Sequence, residues 1–382
     1  MKMEGYKILD LSLFLPGPML TQILADHGAD IIKVEPPTGE PVRNVGYVEG
    51  GATTWFRNTN RGKRSVVLDL KSAKDHSIFL DLCRTADVII EAFRPGVVDR
   101  LGVGPDTVTS LNPRAVYCSI SAFGQTGPEA QRPAHDLSIE ALAGVVSLNL
   151  GRDGHPANPH MPVADIAGAM TALTAILMAL LRREKTGKGD VIDISMQDST
   201  MAWLPNVVGP VFAEDRAPIV QNERSFGGYA FFSIYETSDA RHLTLGGVEN
   251  KFAKTLLIEL GRADLIEAAT GPPGPKQDPV KGFLREIFAK KTLEYWVTWF
   301  QGHDVCFAPV LNLHEAWHSP QVAAREMLLK DDQGNHHIGT PIRYRNEPGR
   351  PNLSLPDLDE HGVMIRDRAA SPGVWRLPVP NN

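Results

Sequence analysis

Cysteine is scarce in this chain of 382 residues: Cys83, Cys118 and Cys306 lie far apart and form no CxxC pair. That spacing indicates neither a disulfide framework nor a structural zinc site, and it suits a reducing compartment, so a cytoplasmic location is expected. Excess positive charge is missing too. A formal charge of -6 argues against a chain built to bind nucleic acid or an anionic membrane. The apolar stretch at the N-terminus carries Glu4 and Asp10 and has no small-residue cleavage site, so it reads as a first strand and not a leader. Met161–Leu181 is the longest apolar tract, yet it contains Asp165 and runs into Arg182-Arg183-Glu184-Lys185. A buried helix of a soluble protein is expected there, not a membrane span. Internal repeats and low-complexity segments are absent.

Several catalytic signatures are also missing. The first strand–helix turn reads LSLFLPGPML, not G-x-G-x-x-G, and its prolines remove backbone donors that would cradle a pyrophosphate. No G-x-x-x-x-G-K-[ST], G-x-S-x-G or H-E-x-x-H occurs. His155 and His160 sit in loops with no carboxylate or cysteine at metal-ligand spacing, so no metal site is expected and they read as exposed loop residues.

What is present alternates. Apolar runs at Lys7–Leu11, Asp30–Val34, Ser65–Leu70, Asp87–Ala92 and Ala115–Ser121 read as strands, with helical periodicity after Pro18 and over Ala73–Thr85. Strand–helix–strand units of this kind predict an α/β fold with a mostly parallel sheet and helices on its faces. Helices are then expected over His135–Leu150 and Pro162–Lys185, and a strand over Val191–Ser195. From about Phe226 a smaller unit begins, with a strand pair at Phe231–Tyr235 and His242–Leu245 followed by helices. Past about Val322 the chain is rich in Pro and Asn, and irregular wrapping structure is expected.

Four features carry candidate chemistry. Asp165 falls one turn into a helix that is apolar nearly all round; it is either a helix-start acid favoured by the dipole or an enclosed functional carboxylate with an altered pKa. His135 precedes Asp136 at another helix start, where Asp136 caps its own helix while His135 either packs or acts in catalysis. Glu249 opens a helix after the strand at His242–Leu245, and a helix-start acid is its default role. Basic residues gather at Arg43, at Arg57, Arg61, Lys63 and Arg64, and at Arg94; they form a solvated surface or converge on phosphates at strand ends.

In several ordered segments, among them LADHGADIIKVEPPTGEPVR, NRGKRSVVLDLKS, ADVIIEAFRPGVVDRLG, PVADIAGAM and RREKTGKGDVIDISMQD, the sequence resembles the family III coenzyme A transferases. That group includes formyl-CoA transferase and α-methylacyl-CoA racemase, and the likeness runs to about His361. The resemblance implies an interlocked homodimer with a large Rossmann-like parallel-sheet domain and a smaller inserted α+β domain. The corresponding bounds are 1–222 for the large CoA-binding domain, 223–322 for the small one and 323–382 for a C-terminal segment returning to the large domain. It implies acyl-CoA as substrate, a free carboxylic acid as acceptor and no permanently bound cofactor. Arg43, Lys63, Arg64 and Arg94 match CoA phosphate and adenine contacts, and Phe226-Gly227-Gly228 matches a glycine loop covering the site. In the transferases the aspartate matching Asp165 attacks the thioester and carries CoA as an aspartyl thioester. In the racemase the residues matching His135 and Asp165 exchange the α-proton, with the glutamate matching Glu249 partnering the histidine. This chain has HDLSI where the racemase text reads HDINY, and Asn222-Glu223-Arg224-Ser225 where a methionine-rich loop is expected. Transferase is the leading expectation, racemase the second. A CoA-binding paralogue without activity is a minor third, opposed by the intact aspartate.

Overall fold

The computed structural model describes residues 1–151 and 153–375. Six strands form one wholly parallel sheet: β1 (Lys7–Asp10), β2 (Asp30–Glu35), β3 (Arg64–Val67), β4 (Val88–Glu91), β5 (Val116–Ser121) and β6 (Val191–Ser195), in the order β3-β2-β1-β4-β5-β6. Successive side chains alternate between two apolar cores, as the twofold period of a strand requires. Leu9, Ile32, Ile89 and Tyr117 join Phe79 and Leu82 of the helix Ala73–Cys83 on one face. Ile8, Ile31, Val88 and Val116 meet Leu20, Leu24, Ala172 and Ile176 on the other. Burial on both faces explains why these strands read as continuous apolar runs.

Val163–Thr186 is the one helix among the described residues long and apolar enough to cross a membrane, but its Ala169, Ala172, Leu173, Ile176 and Leu180 belong to the second core. It ends at Gly187, whose φ of 72° supplies the left-handed cap that only glycine takes without cost. In the first turn, Gly17 is dictated by packing: a Cβ there would lie 1.9 Å from Ser12 Oγ.

One compact unit comprises Met1–Val145, Asn158–Trp203 and Pro320–Asn382, and a second comprises Val146–Ala157 and Leu204–Ser319. These bounds differ from the limits at 222/223 and 322/323 that the resemblance implies, and Val146–Ala157 belongs to the second unit. The helix expected over His135–Leu150 spans only Asp136–Leu142, because Gly144 turns the chain with φ of 84°. Within the second unit, Phe232–Glu236, His242–Gly246 and Phe307–Pro309 form an antiparallel sheet. Helices Asn250–Glu259, Asp278–Phe288 and Leu293–Trp299 supply Leu256, Leu284, Phe288 and Trp296 to a core with Leu243 and Leu245.

The C-terminal stretch is more ordered than expected. It carries a strand pair, Leu328–Lys330 with His336–Ile338, and a helix, Gly362–Arg368. Asp359 accepts the Val67 amide at 2.8 Å, and His361 N–H donates to the Ser65 carbonyl, so the edge strand β3 is covered rather than left open to pairing. The last seven residues of the 323–382 segment lie outside the described residues.

Candidate active site

Strand order reverses between β1 and β4, and at such a switch point the loops leaving the carboxyl ends diverge and leave a crevice. A cavity of about 410 Å³ occupies it, lined by Leu13 and Phe14 after β1, Phe93 and Arg94 after β4, and Ser121 at the end of β5. His135 and Asp165 complete it.

Asp165 is positioned by two helix starts that meet. The amides of Ala164 and Asp165 donate to Asp136 Oδ1 at 2.9 and 3.1 Å, and the Val163 amide donates to Glu140 Oε1 at 3.0 Å. The short helix Asp136–Leu142 thus caps the long helix Val163–Thr186 in trans, a correction to the expectation that Asp136 caps its own helix. The donors that would otherwise stabilise a carboxylate at this helix start are already spent on Asp136 and Glu140. Burial, reinforced by the Asp136 charge, pushes the Asp165 carboxyl up to about 7. Burial likewise pushes Glu140 up to about 7, with the Asp136 carboxyl alongside. Asp165 is therefore a half-buried acid balanced between its two protonation states near neutral pH, facing a cavity.

The wall opposite is built under strain. Phe14 has φ of 63°, a left-handed conformation costing about 1 kcal/mol or more for a residue with a Cβ. Its amide donates to Glu40 Oε1 at 2.9 Å, and Glu40 is held by buried Lys33 at 2.8 Å. The Phe14 ring meets the His135 imidazole edge-on, centroids 5.9 Å apart. His135 itself is exposed at the cavity. After β4, Glu91 is buried and pushed up to about 7 by burial, and it accepts the Phe93 amide at 2.7 Å, fixing the turn that carries Arg94.

The expected phosphate cluster divides. Arg94 is exposed and opens on the cavity beside Asp165. Lys63 is buried, with Nζ donating to Asp10 Oδ2 at 3.0 Å, Thr21 Oγ1 at 2.7 Å, Asn60 Oδ1 at 3.0 Å and the Pro18 carbonyl at 3.1 Å. Arg64 is buried against Asp30 at 2.7 Å and the Val374 carbonyl at 2.6 Å. Both charges are matched inside the protein, by Asp10 and by Asp30. Arg43 is also committed: it binds both oxygens of Glu35 at 2.7 and 2.8 Å, donates to the Pro356 carbonyl at 3.0 Å and lies over the Phe56 ring.

Three expected residues lie in the second unit. Glu249 is exposed at the N-cap position of Asn250–Glu259, with no side-chain capping bond. Gly227 has φ of 90° and lines a cavity of that unit. Gly228 closes a tight turn, its amide donating to the Glu223 carbonyl at 3.0 Å; that amide is consumed and cannot serve a substrate oxygen. A Cβ on Gly228 would sit 2.5 Å from the same carbonyl oxygen. Among the described residues no group of three or more His, Cys, Asp or Glu is arranged to hold a metal.

Sequence reasoning missed Ser121. Its Oγ is buried without a hydrogen-bond partner among the described residues and lies at the cavity, where a substrate polar atom would satisfy it. The signal available was its place at the end of a continuous apolar strand, the position where α/β sheets put ligand contacts.

Comparison with known proteins gives the family. Residues 3–362 match the family model described as CoA-transferase family III. The chain is 36% identical to acetyl-CoA:oxalate CoA-transferase of Acetobacter aceti, over 97% of this chain and 96% of that one. It is 33% identical to the human alpha-methylacyl-CoA racemase, over 96% and 92%. Among solved structures, a CaiB/BaiF family protein from Brucella suis superposes with a TM-score of 0.83 at 28% identity, covering 96% of this chain and 99% of that one. The chain belongs to CoA-transferase family III and is an enzyme of that family.

Proposed function

We propose that this enzyme moves CoA from an acyl-CoA thioester to a free carboxylic acid through a covalent intermediate on Asp165. The observation that carries the reading is a carboxyl pushed up to about 7 by burial, at the wall of a crevice where Phe14, Phe93 and Met196 stand beside Arg94, Ser121 and His135. In its ionised form such a group is a stronger nucleophile than a solvated aspartate, and the crevice shields an anhydride from water. The carboxylate adds to the thioester carbonyl, the C–S bond breaks, and CoA leaves as the thiolate. The thiolate then attacks the Asp165 carbonyl of the mixed anhydride and releases the first acid. The acceptor carboxylate attacks the resulting aspartyl-CoA thioester and expels the CoA thiolate, giving a second mixed anhydride; the thiolate attacks the acceptor's acyl carbon, and Asp165 leaves as the free carboxylate. Arg94 is placed to hold an anionic part of the CoA or acid, and Ser121 to hydrogen-bond a substrate oxygen. The proposal includes a cytoplasmic homodimer; exposed Leu137, Leu142, Met178, Leu181 and Trp203 of the first unit support self-association. A light-scattering mass of one chain would contradict that part.

A second reading, α-methylacyl-CoA racemization, is favoured by the placement of His135 and Asp165 on one cavity. An acid near 7 also suits proton exchange at neutral pH; in that reading Glu249 partners His135. The two part on one experiment. His135→Ala is expected to keep CoA transfer between an acyl-CoA and a free acid. α-Proton exchange of a 2-methylacyl-CoA in heavy water by the purified protein, with no acceptor acid and lost in His135→Ala, would sink the transfer reading.

A further inference from the structure

The second unit holds a cavity of about 550 Å³ that the proposed chemistry at Asp165 leaves without a role. Phe226, Phe232, Ile234 and Leu245 give it apolar walls. Phe232 and Ile234 lie on the edge strand Phe232–Glu236, and Ile234 is 67% exposed. Facing them, the helix Asp278–Phe288 brings Lys281 and Arg285, one turn apart, to the same cavity. Lys281 is 8% exposed, and among the described residues it has neither a hydrogen bond nor an ion pair. Burial holds its amine below the ordinary range; Asp278 opposes the shift and the Arg285 charge adds to it. Arg285 is close enough for its charge to act on Tyr235 as well. Two cations therefore converge at one side of an apolar cavity, and the inner one, largely buried along its stem, has Asp278 acting on its charge but no ion pair among the described residues.

Lys281 differs in this from other buried cations of the chain, which are held in ion pairs: Lys33 by Glu40, Lys63 by Asp10, Arg61 by Asp26 and Arg64 by Asp30. We propose that the cavity binds an amphiphilic carboxylate, its head group on Lys281 and Arg285 and its hydrocarbon chain along Phe226, Phe232, Ile234 and Leu245. A nucleotide or polyphosphate suits the walls poorly, because it would bring polar surface against them. The proposal does not rest on the chemistry at Asp165.

Titration calorimetry of the full-length protein with sodium octanoate tests this, with inorganic phosphate and coenzyme A as competitors. Octanoate is expected to bind, and Lys281→Met, which keeps the apolar stem and removes the charge, to weaken it about tenfold or more. Arg285→Gln is expected to weaken it in the same direction and serves alone if Lys281→Met does not fold. Asp165→Ala, which by the transfer reading has no turnover, is expected to bind octanoate as the unaltered protein does. Failure of that reading would therefore leave this result standing. Unchanged octanoate affinity in Lys281→Met and Arg285→Gln overturns the proposal, as does loss in Asp165→Ala alone. Displacement of octanoate by phosphate or coenzyme A at equal concentration overturns it as well.

Discussion

Asp165 owes its properties to neighbours distant in sequence. The amides at its helix start are taken by Asp136 and Glu140, and burial then leaves the carboxyl near 7. The sign of the resulting stability effect is fixed. The folded pKa lies above the ordinary 3.8, so between these values the folded protein binds more protons than the unfolded chain. Stability contributed by the protonated acid is present at low pH and is lost as pH rises through about 7. Asp165→Asn, which keeps the shape without the charge, is expected to stabilise the protein at pH 8 by on the order of 1 kcal/mol or more and to change little at pH 4. Urea unfolding at the two pH values measures it; equal effects at both would mean the carboxyl is not perturbed. The enclosure of Asp165 was legible because small apolar residues surround it in the sequence. The cause of its raised pKa was not, since a cap supplied by another helix depends on where tertiary packing sets that helix.

Strands and helices were the most legible level, because burial on both faces of a parallel strand leaves a continuous apolar run. The first five strands and the long helix fall within a few residues of their expected limits. Elements with weak periodicity, such as Gly209–Glu214 and the edge strand Phe307–Pro309, gave no such signal. Charges misled for a related reason. Lys63 and Arg64 sit in a basic run that looks solvated or phosphate-binding, but at the start of β3 they turn inside, against Asp10 and Asp30 from strands β1 and β2. Burial pulls the Lys63 amine down to about 8 although Asp10 acts in the opposite direction, while the charges of Lys33 and Lys63 and bonds from Ser12 and Thr21 hold Asp10 ionised against the cost of its burial. Lys63 therefore ties the end of β1 to the helix Pro16–Asp26 below the cavity. Lys63→Met is expected to cost about 3 kcal/mol by removing the nearer cation of buried Asp10 and leaving it Lys33 at 4.0 Å. A denaturant midpoint equal to that of the unaltered protein, with CoA affinity reduced, would instead support the phosphate role.

For the whole molecule, the sheet order β3-β2-β1-β4-β5-β6 places a crevice where β1 and β4 part, the position at which many α/β proteins bind nucleotides. Here the first turn starts with Pro16 and Pro18 in place of a glycine-rich donor loop, and the crevice is furnished with Phe14, Arg94, Ser121, His135 and Asp165. The same scaffold has thus exchanged a phosphate cradle for a carboxylate wall. Architecture and family were legible from the ordered segments of the sequence; the internal ion pairs of the basic cluster and the Ser121 hydroxyl, without a partner among the described residues, required three dimensions. Whether Asp165 takes an acyl group or a proton is decided by hydroxylamine trapping during turnover, read by peptide mass spectrometry. A hydroxamate on Asp165 that forms only in the presence of acyl-CoA is the expected result. Sustained CoA transfer to an acceptor acid with Asp165 unmodified at every hydroxylamine concentration would contradict the covalent mechanism.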